Sequence, residues 1–314
     1  MTPFKSLKFG SLAVCLVTLF ACLIAILILI TRILDFQNAK QFEQLEKKYP
    51  LISKRILREI PQDILINFLP LRNKIRTTAA EYGDSFAVYF EYLPTGVSIG
   101  VNEKDEFQAA SLFKIPYAMA YYRTLEDSGH YSNPTLDLSE KNTDPEFGDL
   151  WEKGNGFKIS AEEAIKLAIT ESDNTAIKLI LPHIRKESLE EVYNGLDIDS
   201  KIFEGSPVLT AKSYSSILKV LYFSSVLNKD DSERILNLMT QTKFNDKLPS
   251  GIPAGVPVAH KIGDFKGKLF MDCGIVYPSR RSYLLCMVSH SDEETARERM
   301  GNMSKLVYDN VVAP

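Results

Sequence analysis

Ser111 stands three residues before Lys114 in the run "AASLFKIPYAMAYY" (109–122), with Leu112, Phe113, Ile115 and Pro116 around them. On a helix, positions i and i+3 share a face, so hydroxyl and amine are neighbours. Apolar walls disfavour the charged form of a lysine. A neutral lysine can take the serine proton and create a nucleophile. A serine at a helix N-terminus also brings its own backbone N–H to the place where an oxyanion develops. By itself the pair is a weak signal and reads better as a cap serine beside a snorkelling lysine.

Two further stretches add to it. "ESDNTA" puts Ser172, Asp173 and Asn174 in a polar turn between two helices, 61 residues after Ser111. "VAHKIGDF" puts Lys261, Ile262 and Gly263 where strand patterning resumes, followed by Asp264. Order, spacing and setting resemble the S-x-x-K, S-D-N and K-T-G set of the serine β-lactamases and penicillin-binding proteins. The stretches "YFEYLPTGVSIGVN" and "GFKISAEEAIKLAITESDNTA" resemble the class A β-lactamases in the same order. The resemblance covers roughly residues 75–312.

The resemblance implies a role for each matching residue. Ser111 would be the acylated nucleophile and Lys114 its proton acceptor. Ser172 would deliver the proton to the leaving nitrogen. Asn174 would hold Lys114 and the substrate amide, and Asp173 would brace the turn. Lys261 would lend positive potential near Ser172 and the substrate carboxylate. Gly263 would allow close backbone approach, and the N–H of Asp264 would join that of Ser111 as oxyanion donor. The same chemistry opens a β-lactam ring or cleaves an acyl-D-Ala-D-Ala peptide, through a serine ester in both cases.

Two departures bear on the substrate. Ile262 replaces the threonine or serine usual in the third motif, removing a hydroxyl for the substrate carboxylate. Ser172 and Lys261 are only 89 residues apart, where class A β-lactamases have a longer interval holding an E-x-x-L-N loop that supplies the deacylating glutamate, and the stretch 194–214 carries no such signature. In "NGLDIDSKIFEGSPVLTAKSY" (194–214) Glu204 is the only glutamate, three residues before Pro207. The expected enzyme is therefore D,D-peptidase-like and penicillin-binding, with poor β-lactam turnover. The alternatives are a genuine β-lactamase and a penicillin-recognising sensor that stays acylated. A leading segment of ten residues before the apolar span offers no signalling domain and counts against the sensor.

Elements must position these groups. The strands "SFAVYFEY" (85–92) and "VSIGVN" (97–102) flank "LPTG" as a hairpin. The signals from Ser111 to about 240 are mostly helical. "KLFMDCGIVYP" and "RSYLLCMVSH" return as strands joined near Ser279. Capping boxes are expected at Ser160–Glu163 and Ser291–Glu294. The last helix carries Ala296, Met300, Met303, Val307 and Val311 on one stripe. The fold class is α+β: an antiparallel sheet formed from both ends of the domain, flanked by helices, with an all-helical second lobe and a cleft between lobes. This agrees with the class A β-lactamase or D,D-peptidase-like fold that the resemblance implies. The expected domain spans 71–314.

Ahead of it, "SLAVCLVTLFACLIAILILI" (11–30) has no charge over twenty residues, about 30 Å of helix, which matches a bilayer core. No small-residue cleavage pattern follows, and apolar sequence runs on past Cys15 and Cys22. An uncleaved single-pass anchor (11–32) at the cell membrane is expected, with the catalytic domain extracytoplasmic. A charged stalk (33–70), broken near Pro50, leads to a helix after Pro70 with Leu71, Ile75, Ala79 and Tyr82 on one face. The net charge of −3 suggests no nucleic-acid partner. Neither H-E-x-x-H nor a cysteine cluster suggests a metal, and no cofactor is expected. Partners are a small-molecule β-lactam or a peptidoglycan stem peptide. His260 reads as solvated or hydrogen-bonded, Phe147 and Trp151 as core or cleft wall. Cys273 and Cys286 fall opposite each other if Tyr277 pairs with Ser282; outside the membrane they could oxidise, but two buried thiols are the favoured expectation.

Overall fold

The computed structural model describes residues 7–54, 66–83, 85–194, 208–279 and 281–312. The chain forms two compact units, residues 1–50 and 51–314. In the first unit a single helix, α1 (Leu7–Lys48), runs through both the apolar span and the charged sequence behind it. Its part from Leu19 is long and apolar enough to cross a membrane.

The second unit follows with α2 (Leu69–Tyr82), β1 (Phe86–Tyr92), β2 (Val97–Val101), β3 (Phe107–Gln108), α3 (Lys114–Ser128), β4 (Thr135–Asp137) and β5 (Lys158–Ser160). Next are α4 (Ala161–Thr170), α5 (Asn174–Ile180), α6 (Lys186–Asn194), β6 (Val208–Leu209), α7 (Ala211–Tyr222) and α8 (Lys229–Met239). The chain closes with β7 (Val258–Phe265), β8 (Leu269–Val276), β9 (Tyr283–His290) and α9 (Glu293–Val312).

One sheet, ordered β2-β1-β9-β8-β7, is assembled from both ends of the unit, and every pairing in it is antiparallel. Side chains alternate between its faces. Phe86, Val88, Phe90 and Tyr92 of β1 join Tyr283, Leu285 and Met287 of β9 in a core with the apolar stripes of α2 and α9. The opposite face carries Ala87, Cys286 and Val288 and packs against α7. Because both faces are covered, β1 and β8 are buried throughout. Phe90 stacks at a tilt on Phe68 and Tyr283 within that core.

The middle of the chain is helical, as expected, but it also carries two short ladders, β3 with β6 and β4 with β5. Local readings mostly hold. Leu71, Ile75 and Ala79 are the buried face of α2, and Ser160 accepts the Glu163 N–H at the start of α4. The cap of α9 differs. Asp292, one residue later than the expected Ser291, accepts the Thr295 N–H at 2.9 Å, while the Ser291 hydroxyl turns to Ser289. A carboxylate is the better partner for helix N–H groups.

The expected pair of thiols is also corrected. Cys273 faces Cys286 in the β8–β9 register, and the two form a disulfide. Directly opposed cysteines on neighbouring strands lie close enough to bond, and here their Cα atoms are 3.9 Å apart.

Candidate active site

Ser111 lies in a 3-10 turn, Ala110–Phe113, that feeds into α3 at Lys114. The serine and lysine therefore straddle a junction rather than sharing one α-helix. In 3-10 geometry positions i and i+3 eclipse, and Lys114 Nζ sits 2.9 Å from Ser111 Oγ. Ala110, immediately before the serine, holds a left-handed φ of 43°. Such strain in a non-glycine residue persists only where surrounding structure imposes it.

The second motif is built by Asp173. Its Oδ1 accepts the Ala176 N–H at 2.7 Å, capping α5, and its Oδ2 accepts the Leu150 N–H at 2.9 Å. Gly148 is needed beside it, because a Cβ there would lie 2.2 Å from Asp173 Oδ2. The brace holds Ser172 at a left-handed φ of 59° and aims Ser172 and Asn174 at Lys114. Asp173 thus supports the turn, as expected, rather than entering the site.

Lys114 is fully buried. Around its Nζ are Ser111 Oγ, Ser172 Oγ at 3.2 Å, Asn174 Oδ1 at 2.7 Å and the Ser172 carbonyl. Burial lowers its pKa to about 7, against the opposing charges of Asp173, Asp144 and Glu146. A neutral amine has two N–H donors and one lone pair. The Ser172 carbonyl and Asn174 Oδ1 can only accept, so they take the two donors. The lone pair is then free for the Ser111 hydroxyl proton.

Lys261 comes from β7, the edge strand of the sheet. It too is fully buried, and its Nζ donates to Ser172 Oγ at 2.8 Å and to the Ile262 carbonyl at 3.1 Å. Burial first, then the charge of Lys114, hold its pKa well below the ordinary lysine value, with Asp272 opposing. The Ser172 hydroxyl thus lies between two lysines. Gly263 approaches the nucleophile's segment closely: a Cβ there would lie 3.4 Å from the Ala109 carbonyl and 2.8 Å from Met271 Cε. On an edge strand alternate N–H groups point away from the sheet, and β7 carries this open edge past Gly263 to the exposed Asp264.

The structure therefore brings Ser111, Lys114, Ser172, Asn174 and Lys261 into one hydrogen-bonded cluster, with Gly263 against the same segment. Beside it a cavity of about 350 Å³ is lined by Phe147, Ile262, Gly263, Lys247 and Arg297, among others. Phe147 is thus a cleft residue, whereas Trp151 is an exposed surface residue, 36% accessible. Lys247 and Arg297 were not legible as site residues. "NDKLPSG" reads as a surface loop, and Arg297 as the exposed face of α9. Yet Lys247 is buried, with Nζ 3.1 Å from Asp246 Oδ1, and Arg297 Nε meets the other oxygen of Asp246 at 2.5 Å. These paired cations line the cavity beside Ile262 together with the carboxylates of Asp246, Asp264 and Glu293. His260 is buried and bonded through Nδ1 to Asp272. Glu204 lies outside the described residues.

A five-stranded antiparallel sheet covered on both faces, carrying a Ser–Lys pair, an S-D-N turn and an edge-strand lysine, defines a serine acyl-transfer fold. Residues 70–311 match the model of the β-lactamase enzyme family, and the chain belongs to that family, within the serine β-lactamase and penicillin-binding protein superfamily. Comparison with curated proteins gives no match. Among solved structures, PBP-A aligns at 23% identity over 80% of this chain and 98% of its own, with a TM-score of 0.69. A PBP-A point mutant caught as an acyl-enzyme with penicillin G aligns at 23% identity over 76% and 95%, TM-score 0.68. The extended-spectrum β-lactamase TLA-3 aligns at 19% identity over 79% and 100%, TM-score 0.70. These likenesses concern the fold.

Proposed function

We propose that this serine hydrolase is a membrane-anchored enzyme of D,D-peptidase type, acylated at Ser111 by D-Ala-D-Ala-type peptides and by β-lactams, and slow to release the β-lactam ester. The observation that carries the reading is the coordination of Lys114 Nζ, whose two forced donor bonds leave its lone pair for Ser111. In the proposed cycle Lys114 takes the Ser111 proton as Oγ attacks the carbonyl carbon. The backbone N–H groups of Ser111 and Asp264 receive the oxyanion. Ser172 then passes a proton to the leaving nitrogen, and Lys261 raises the positive potential around that transfer. The substrate's terminal carboxylate is drawn to Lys261 and to Lys247 and Arg297, which line the neighbouring cavity together with their partners Asp246 and Glu293.

Slow release follows from the short stretch 194–214, which carries no E-x-x-L-N signature; the match at Glu233–Asn237 lies within α8, where Glu233 accepts the Leu51 and Ile52 N–H groups. General-base assistance contributes about 10²–10⁴-fold, so its loss leaves a long-lived ester. An opened β-lactam stays tethered over the ester and hinders water, whereas D-alanine departs from a peptide. The penicillin G acyl-enzyme of the PBP-A mutant is a precedent for the trapped species in a related fold. The apolar helix supports anchoring, with the catalytic unit outside the cytoplasm where peptidoglycan peptides are met.

Intact-protein mass spectrometry of the full chain in detergent, mixed with labelled penicillin, tests this. One persistent adduct is expected, absent from Ser111→Ala; labelling that survives in Ser111→Ala would overturn the assignment. Steady-state assays of a chromogenic cephalosporin and an acyl-D-Ala-D-Ala thioester decide the substrate. Fast cephalosporin turnover, lost in Glu204→Gln, would make the protein a β-lactamase with Glu204 as its base.

A further inference from the structure

Behind the catalytic strand lies a buried polar pair that the reaction above does not use. Asp272 of β8 sits opposite Ile262, so its side chain projects from the α9 face of the sheet, the face that also carries His260. Lys261 projects from the other face. Asp272 is fully buried, and a carboxylate stays in an interior only where donors replace its lost water. Two do so here: His260 Nδ1 at 2.7 Å from Oδ1, and the Leu248 backbone N–H at 2.9 Å from Oδ2. His260 Nε2 is buried without a hydrogen-bond partner, so the ring's proton belongs on Nδ1, pointing at the carboxylate. Each donor is one residue from a cation of the site. His260 precedes Lys261, which reaches Ser172. Leu248, whose carbonyl also accepts from Ser304 Oγ at 2.7 Å, follows Lys247, which pairs with Asp246 and lines the cavity beside Ile262.

We propose that Asp272 is a positioning residue for the substrate's carboxylate: through His260 and the Leu248 amide it fixes the spacing between Lys261 and Lys247. This rests on the acyl-transfer reading of the site and deepens it. One buried carboxylate ties the edge strand to the 247–251 turn, two segments that share no regular hydrogen-bonded ladder. Its negative charge also acts through the sheet on Lys261, favouring the cation against burial and the charge of Lys114. Loss of the tie lets the two cations drift apart while Ser111, Lys114 and Ser172 remain in place.

The test compares acylation of the full chain in detergent by benzylpenicillin and by its neutral methyl ester. Wild type is expected to prefer the acid. In Asp272→Asn that preference is expected to fall about tenfold, a change in apparent half-saturation equivalent to about 1.4 kcal/mol, while the limiting acylation rate and the ester reaction stay within about threefold. A merely structural role would slow both ligands alike. His260→Asn keeps an N–H toward Asp272 and is expected to retain the preference; His260→Leu is expected to lose it. This pair also decides the matter if Asp272→Asn does not fold. Unchanged preference in His260→Leu, or equal losses for acid and ester, would overturn the proposal. Wild type that takes no label at Ser111 would overturn the reading of the site and this proposal with it; label at Ser111 with unaltered preference in the variants would overturn this proposal alone.

Discussion

At the scale of single residues, the proposed chemistry turns on the protonation state of Lys114. With Lys114 as the proposed proton acceptor, acylation requires the free amine, and burial brings its pKa down to about 7. Below that value the fraction of free amine falls tenfold per pH unit, so the acylation rate is expected to fall about tenfold per unit on the acid side and to level off above it. The folded state also titrates below the unfolded one, since an ordinary lysine loses its proton near 10.5. Between about 7 and 10.5 the unfolded chain holds the extra proton, so this group makes stability rise with pH across that window. Stopped-flow acylation by a reporter penicillin across pH 5–9 checks the first expectation. Lys114→Met should lower the rate about 10²–10⁴-fold and remove the inflection near neutrality; an inflection that survives would assign it to another group. Ser111, Lys114, Ser172, Asn174 and Lys261 were legible in the sequence because each belongs to a short motif whose members are held by local structure. Lys247 and Asp272 were not. Lys247 enters the cavity because the 247–251 turn docks on β8 through Asp272 and on α9 through Ser304, contacts between residues 24 and 56 apart that leave no periodic trace.

At the scale of elements, the turn before α5 shows how a local motif depends on distant backbone. Asp173 caps its own helix and holds Leu150 as well. Asp173→Ala removes both acceptors, and is expected to cost about 1–3 kcal/mol of stability. It should also slow acylation, because Ser172 loses the brace that keeps its left-handed backbone. Gly148→Ala attacks the same contact from the other side, through a positive φ of 88° and a Cβ 2.2 Å from Asp173 Oδ2. Thermal denaturation together with penicillin labelling of both variants checks this; parallel losses would support one shared brace, and unaltered labelling in a destabilised Asp173→Ala would separate stability from the site. The sheet was legible to the level of register: the hairpin that sets Cys273 against Cys286 follows from the turn near Ser279. Their oxidation was not, since periodicity reports where side chains point and not the bond they form. The α9 cap was displaced by one residue for a similar reason, because Ser291 and Asp292 compete for the same N–H groups and the carboxylate prevails.

At the scale of the whole molecule, the catalytic unit begins earlier than the region the family shares. The family match starts at residue 70, yet the compact unit starts at Leu51. Leu51, Ile52 and Ser53 are all buried in it. Glu233 of α8 accepts the N–H groups of Leu51, at 3.0 and 3.2 Å, and of Ile52 at 3.1 Å, and the Ser53 N–H donates to the Tyr222 carbonyl at 2.6 Å. Burial raises the pKa of Glu233 above its usual 4.5, and the two N–H groups oppose that rise. A chain cut to begin at Tyr49 keeps these peptide N–H groups and their bonds, while one cut to begin at Leu69 leaves a buried carboxylate without its donors. The shorter chain is expected to be less stable by about 1–3 kcal/mol near neutral pH, with acylation of Ser111 retained in both. The sign of the pH dependence follows from the raised pKa. In the folded state Glu233 holds its proton to higher pH than in the unfolded chain, so its contribution to stability is largest in acid and is lost as pH rises from 4.5 through the raised value. Without the two donors that value rises further, so the gap between the two chains should narrow as pH is lowered and Glu233 becomes neutral in both. Denaturant titrations of the two chains at pH 5 and pH 8 measure it; a gap that is equal at both values would place the stabilisation in the burial of Leu51 and Ile52 rather than in the carboxylate.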